Sequence, residues 1–265
     1  MNMILMISDM HIGRRTRTFN YDVFKERLDI LCENFISLKK IINRSFALSR
    51  LDILLLGDIL DGEEIFRGHG YEVEMDIDDA IQTAVNDIAL MINKMLSRTN
   101  FEEVRVFGVP GNHGVANRNG SVGANWEMAM YRLLAERLSY EVYSAKDWYI
   151  AFDVGDRKAI AMHGDNIKMT NQIPFYGINR NVLRWRAGGL GESDFDYVFL
   201  GHFHVLASIS CNDVRTYLNG TMLDGDTYVE RMGLKPDLKY WLLVYDDEGN
   251  IVMEVPISLD VIMFK

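Results

Sequence analysis

The sequence predicts an α/β fold, a four-layer α/β/β/α sandwich in which two mixed sheets pack face to face between helices. Three observations carry that prediction. Apolar runs alternate with helix-period segments in the first half, tight-turn hairpins fill the second half, and the polar motifs fall where strands end.

The first strand is Met3 to Ile7, a short unbroken apolar run of the kind that is buried on both faces. From Phe24 the apolar positions run Phe24, Leu28, Leu31, Phe35, Leu38, Ile42 and Phe46. Steps of three and four mark one face of a long helix. Ile53 to Leu56 is a second buried strand; Ile77, Ile81, Val85, Ile88, Ile92 and Met95 trace a second helix, and Val104 to Val109 makes a third strand. That alternation implies parallel strands with right-handed crossovers. A third helix fits Trp126, Met130, Leu133 and Leu134. Beyond it, Trp148 to Val154 and Lys158 to His163 pair across Gly155-Asp156, and Val205 to Ser210 and Val214 to Leu218 pair across Asn212-Asp213. The last ~40 residues supply a strand pair, Tyr240 to Tyr245 and Ile251 to Val255, expected to pack on a single domain spanning residues 1–265.

Composition narrows the function classes. At 265 residues and 48% apolar content, one large core is expected rather than two. Met3 to Ile7 is too short for a signal h-region and no run reaches the length of a membrane span, so no membrane span is expected. Cys32 and Cys211 are too few for a disulfide framework, which makes the cytoplasm the expected compartment. A net charge of −10 argues against binding nucleic acid through bulk charge; any contact with a polyanion must be local.

Five of the six histidines lie in short motifs that occur in order. These are Asp9-Met10-His11, Gly57-Asp58-Ile59-Leu60-Asp61, Gly111-Asn112-His113, His163-Gly164-Asp165 and Gly201-His202-Phe203-His204. Most follow a predicted strand directly, and the carboxyl ends of strands are where open α/β sheets bind ligands. Carboxylate, imidazole and amide oxygen together suit Mn²⁺, Fe²⁺ or Zn²⁺, and the absence of cysteine argues against a structural zinc. We expect two divalent ions, Mn²⁺ first among them. Two cations about 3.5–4 Å apart activate water near neutral pH and clamp the attacking and leaving oxygens of a phosphoryl displacement. Asp61 has two readings, a helix cap or a residue that acts on the site, and Asn112 likewise reads as a turn residue or a ligand. His69, outside any motif, reads as a surface or satisfied core histidine.

With these motifs the chain resembles the calcineurin-like metallophosphoesterase family from Asp9 to about Thr221. The resemblance implies that Asp9, His11, Asp58 and His204 bind one metal, and that Asp58, Asn112, His163 and His202 bind the other. It also implies that His113 is a catalytic residue that meets the phosphate as general acid or electrostatic stabiliser, with Asp61 orienting it. Gly114 stands where the family has Asp or Glu, which implies a change in how His113 is oriented.

Within the family, Ile7 to Gly13, Phe195 to His202 and Tyr217 to Thr221 are similar to SbcD-type DNA repair nucleases, although Asp61 replaces their usual His and no room is left for their DNA-binding cap. A minimal nuclease is therefore the first expectation for substrate. The alternative is a small-molecule phosphodiesterase or pyrophosphatase, since His163-Gly164-Asp165 with Tyr176 and Arg180 also resembles UDP-2,3-diacylglucosamine hydrolase; a phosphomonoesterase follows, then a scaffold like the retromer subunit of similar fold, for which eroded ligands would be expected. Candidate substrate contacts are Tyr176, Arg180 and Arg184 downstream of His163, and Arg14 with Arg15 and Arg17 after the first motif. Solvated surface is the competing reading of both patches. The acidic insert Gly62 to Asp76 reads as a lid or rim, Gly114 to Gly123 as a mobile loop over the site, and the long first helix as an exposed face on which an ATPase partner or a second copy could dock.

Overall fold

The computed structural model describes residues 1–63, 65, 68–116, 123–170, 174–190, 194–225 and 235–264. Two mixed sheets form. The first has six strands in the order β11-β10-β1-β2-β3-β4: β1 (Asn2–Ile7), β2 (Arg50–Leu55), β3 (Glu103–Gly108), β4 (Glu141–Ser144), β10 (Lys239–Tyr245) and β11 (Ile251–Ser258). The second has five in the order β5-β6-β7-β9-β8: β5 (Tyr149–Val154), β6 (Arg157–Met162), β7 (Tyr197–Leu200), β8 (Ala207–Cys211) and β9 (Val214–Leu218). β1 to β4 run parallel, and so do β6, β7 and β9; β10, β11, β5 and β8 enter antiparallel.

Side-chain alternation explains the layering. On β1, Met3, Leu5 and Ile7 face one core with helices α1 (Tyr21–Ile42), α2 (Ile77–Ser97) and α3 (Trp126–Arg137), while Ile4 and Met6 face a second core between the sheets. A third core lies between the second sheet and helix α4 (Phe175–Ala187), where Val198 and Leu200 meet Ile178 and Val182. Helices, sheet, sheet and helix are the four layers the sequence predicts. β7, and β1 from Met3 on, read as continuous apolar runs because both of their faces are covered; β2 does so only from Ile53, its buried Asp52 being paired with Arg105 (2.7 Å).

Three details differ from expectation. The edge strand β4 was not predicted; its four residues alternate between exposed and half-buried, too short and too polar a pattern to register. The C-terminal strands extend the first sheet through β1·β10 pairing rather than packing on it as a separate pair. Helix α1 is covered along its apolar face, while Asp22, Glu26, Asp29 and Lys40 on the other remain exposed. It buries Phe24, Leu28, Leu31, Phe35 and Leu38, and Asn34 donates to the carbonyls of Ser258 (2.9 Å) and Val261 (2.8 Å), so the C-terminal tail also ties to it. Among the described residues no helix is long and apolar enough to cross a membrane.

Candidate dinuclear metal centre

The ligand-type residues sit on the loops that leave β1, β2, β3, β6 and β7, all at one end of the two sheets. Among the described residues seven non-glycine residues have positive φ, and five of them are Asp9 (49°), His11 (48°), Asp58 (49°), His202 (69°) and His204 (56°). The other two, Asn212 and Asp213, form the β8–β9 turn, where such angles are ordinary. Left-handed backbone costs a non-glycine residue of order 1–3 kcal/mol, and it persists at functional sites because the surroundings fix it. Gly111 is required for a different reason: a Cβ there would stand 2.1 Å from the Asp58 backbone nitrogen and 2.2 Å from Oδ1.

Two donor sets converge. Asp9, His11 and His204 bring their donor atoms within 4.8 Å of one another, as do Asp58, His163 and His202. In the first set His204 Nε2 lies 3.2 Å from Asp9 Oδ1 and 3.4 Å from His11 Nε2. In the second, His163 Nε2 lies 3.0 Å from Asp58 Oδ2, 3.1 Å from Asn112 Oδ1 and 3.2 Å from His202 Nδ1. Asp58 also joins His11 and His113 in a further group, so it stands between the two sets.

The chemistry of these atoms tests whether they fit cations. Leu56 O can only accept, so His163 Nδ1, 2.8 Å away, must donate to it. In the neutral ring Nε2 then carries a lone pair, aimed at two oxygens and a third nitrogen. With that ring neutral, several acceptors crowd one point and need a positive charge to satisfy them, which either a proton on Nε2 or a divalent cation supplies. The residues fit a pair of divalent ions: Asp9, His11, Asp58 and His204 can hold one, and Asp58, Asn112, His163 and His202 the other.

Electrostatics agree. Burial alone would lower the His163 pKa, but the charge of Asp58, its hydrogen bond and Asp9 push it up to about 10. Asp58 itself, fully buried, is held well below the carboxylate range by His163 and His113. His202 falls to about 3 through burial and the neighbouring His163, and burial lowers His11 despite its contact with Asp61. Since His163 is raised above its ordinary value, it is protonated at pH 7.5, and a cation can bind only where that proton leaves. Mn²⁺ binding at pH 7.5 is therefore expected to release protons, that of His163 among them, read by calorimetry in buffers of different ionisation enthalpy, with the His163 release fading as pH rises through about 10. Binding with no proton release would contradict this assignment.

His113 belongs to neither set, although a donor atom of its ring lies within 4.8 Å of those of His11 and Asp58. Its backbone N–H donates to Asp58 Oδ1 (2.7 Å), its Nδ1 is hydrogen-bonded to Asp61 Oδ1, and its side chain is 20% exposed against none for Asp61. Burial would lower its pKa, but the Asp58 charge and the Asp61 hydrogen bond raise it to about 9, so it carries a proton at neutral pH. Asp61 is also 3.1 Å from His69 Nε2 and 3.6 Å from Arg14 Nε. His69 is thus a satisfied core histidine, as expected of it, but the group that satisfies it is the partner of His113. The insert carries it there: Arg14 bridges Val73 and bonds Glu72 at 2.5 Å, drawing the insert down as a rim.

Arg14 is not poised to meet substrate. Only 3% exposed, it is turned inward onto Asp61 and Glu72, because the β-bridge to Val73 folds its loop back. Arg15 and Arg17 stay exposed. Tyr176, Arg180 and Arg184 lie exposed on α4, whose start packs beneath the loop after His163 through Ile167 and Ile178. Residues 117–122 of the expected mobile loop, and 64, 66 and 67 of the insert, lie outside the described residues.

Glu127 lies in none of the sequence motifs. Fully buried at the start of α3, its carboxylate accepts from the backbone of Ile59, of Leu60 (3.1 Å) and of Gly111 (2.6 Å). Burial and the Asp58 charge raise its pKa to about 7.

The model of the calcineurin-like phosphoesterase family matches residues 3–206. Among solved structures, an archaeal phosphodiesterase is similar at 13% identity and a TM-score of 0.44, covering 96% of this chain and 99% of its own. Wild-type Vps29 from Entamoeba histolytica, complexed with Zn²⁺, is similar at 12% identity and a TM-score of 0.40, with 97% and 99% covered. A putative 5′-nucleotidase from Staphylococcus aureus is similar at 14% identity and a TM-score of 0.43, with 100% of this chain and 56% of its own covered. No curated protein matches the chain. The family match takes in all five ligand-bearing loops, and on that ground the chain belongs to the calcineurin-like phosphoesterase family.

Proposed function

We propose that the protein is a dinuclear-metal phosphodiesterase acting on DNA, an SbcD-like nuclease. The observation that carries the chemistry is the convergence of Asp9, His11, Asp58, Asn112, His163, His202 and His204 beside the protonated His113–Asp61 pair. When bound, two divalent cations neutralise phosphate charge and make water a competent nucleophile near neutral pH. Asp61 occupies His113 Nδ1, leaving Nε2 as the atom that can donate to a leaving oxygen. Asp61 is itself braced by His69 and Arg14, so the ring is set before substrate arrives.

DNA is favoured by α4. Phe175 (42% exposed) and Tyr176 (68% exposed) offer aromatic faces, and Arg180 and Arg184, four residues apart, share one helix face. The second reading, a small-molecule phosphodiesterase or pyrophosphatase, is favoured by the withdrawal of Arg14, which leaves α4 with less basic support than a long polyanion would use. Arg180→Ala with Arg184→Ala separates them. Cleavage of single-stranded DNA should fall about tenfold or more and lose part of its salt dependence, while hydrolysis of bis-p-nitrophenyl phosphate stays within about twofold. Equal loss on both substrates would contradict a DNA-binding role for α4.

A further inference from the structure

Two loops must keep register for Asp58 and Asn112 to face the same point. Among the hydrogen bonds of the described residues they touch directly only through His113, whose N donates to Asp58 Oδ1 (2.7 Å), whose O accepts from Gly62 N (2.9 Å) and whose Nδ1 bonds Asp61 Oδ1. The Gly57–Asp61 loop leaves β2 and the Gly111–Gly114 loop follows β3, and both meet the first turn of α3. There Asn125 caps the helix by accepting from Glu127 N (2.9 Å), Asn125 Nδ2 donates to Gly111 O (2.7 Å), and Trp126 N donates to Gly114 O (2.7 Å). Glu127 joins the loops: one carboxylate oxygen takes the N–H groups of Ile59 and Leu60, the other takes that of Gly111. Gly114 makes room for this, since a Cβ there would stand 2.4 Å from Asn125 Oδ1 and 2.8 Å from Glu127 Cγ. A buried acid near Asp58 is unfavourable by charge alone, and the three backbone donors offset that cost.

We propose that Glu127 is a positioning residue that holds the Asp58 and Asn112 loops in register for the Asp58–Asn112–His163–His202 metal site. The inference rests on the dinuclear reading above. It bears on one site more than the other: Asp58 serves both, but Asn112 serves only the second, and Glu127 bonds neither the Asp9 loop nor the His202–His204 loop directly. Glutamine keeps the shape but has a single acceptor oxygen, so it can hold one loop and must point an N–H₂ group at the donors of the other.

The test is a Mn²⁺ titration followed by electron paramagnetic resonance on wild-type protein and Glu127→Gln. Wild-type protein should bind two ions and show a spin-coupled pair. The variant should bind the ion at the Asn112 site about tenfold or more weakly, weaken the other ion much less, and lose the coupled signal. Two ions bound at wild-type affinity, or equal weakening of both, would overturn the proposal. Fewer than two ions on the wild type would overturn the dinuclear reading and the inference with it. If the variant does not fold, amide exchange in the wild type decides: Ile59, Leu60 and Gly111 should exchange as slowly as the central strands, and fast exchange overturns the proposal.

Discussion

Asp58→Asn is expected to lower phosphodiester hydrolysis by about 10³-fold, the kinetic equivalent of losing several kcal/mol of cation-derived stabilisation. The carboxylate is 2% exposed and stands between the two donor sets, with Oδ1 toward His113 N and Oδ2 toward His163 Nε2. Asparagine can still accept from His113 N through its own Oδ1, so the loop should hold. What it cannot do is offer a second anionic oxygen, and its amide would point donors at His163. The variant should also lose the exchange-coupled ion pair. Turnover of bis-p-nitrophenyl phosphate with bound Mn²⁺ counted in parallel checks both; activity within tenfold of wild type would show that Asp58 is not the shared ligand.

His113→Ala should leave both ions in place and reduce turnover by about 10²-fold or more, the usual cost of removing an acid or oxyanion contact. Its imidazole lies outside both donor sets, and its Nδ1 is committed to Asp61. The loss should deepen on diesters with poorer leaving groups, because a proton delivered to the leaving oxygen matters most where that oxygen is basic. Metal loss in the variant would make His113 a ligand; a loss uniform across leaving groups would make it an electrostatic contact without proton transfer.

Much of this was legible in the residues, and the rest was hidden for identifiable reasons. Doubly buried strands such as Met3 to Ile7 announce themselves, and the ligand motifs follow strand ends, so topology alone gathers them. His69 belongs to no motif; only the fold-back of the insert through the Arg14–Val73 bridge carries it to Asp61. That same fold-back turned Arg14 inward, whereas sequence position beside the first motif suggested a substrate contact. Glu127 looked like an ordinary acid in a first helical turn, where acids usually face solvent and the helix dipole. The one available signal was its neighbour: Asn125 as cap, two residues ahead of an acid, with Gly114 vacating the space between. Substrate preference was the least legible, because α4 displays its arginines on a surface that reads equally as solvated helix.

Hydrolysis of bis-p-nitrophenyl phosphate by Mn²⁺-loaded protein, with ion stoichiometry determined on the same sample and Asp58→Asn as background, decides whether the site is a dinuclear phosphodiesterase. Two ions per chain are expected, with turnover that disappears on chelation and in the variant. Two tightly bound ions with no hydrolysis of this diester or of DNA would contradict that reading, and would mark the site as a metal-stabilised scaffold.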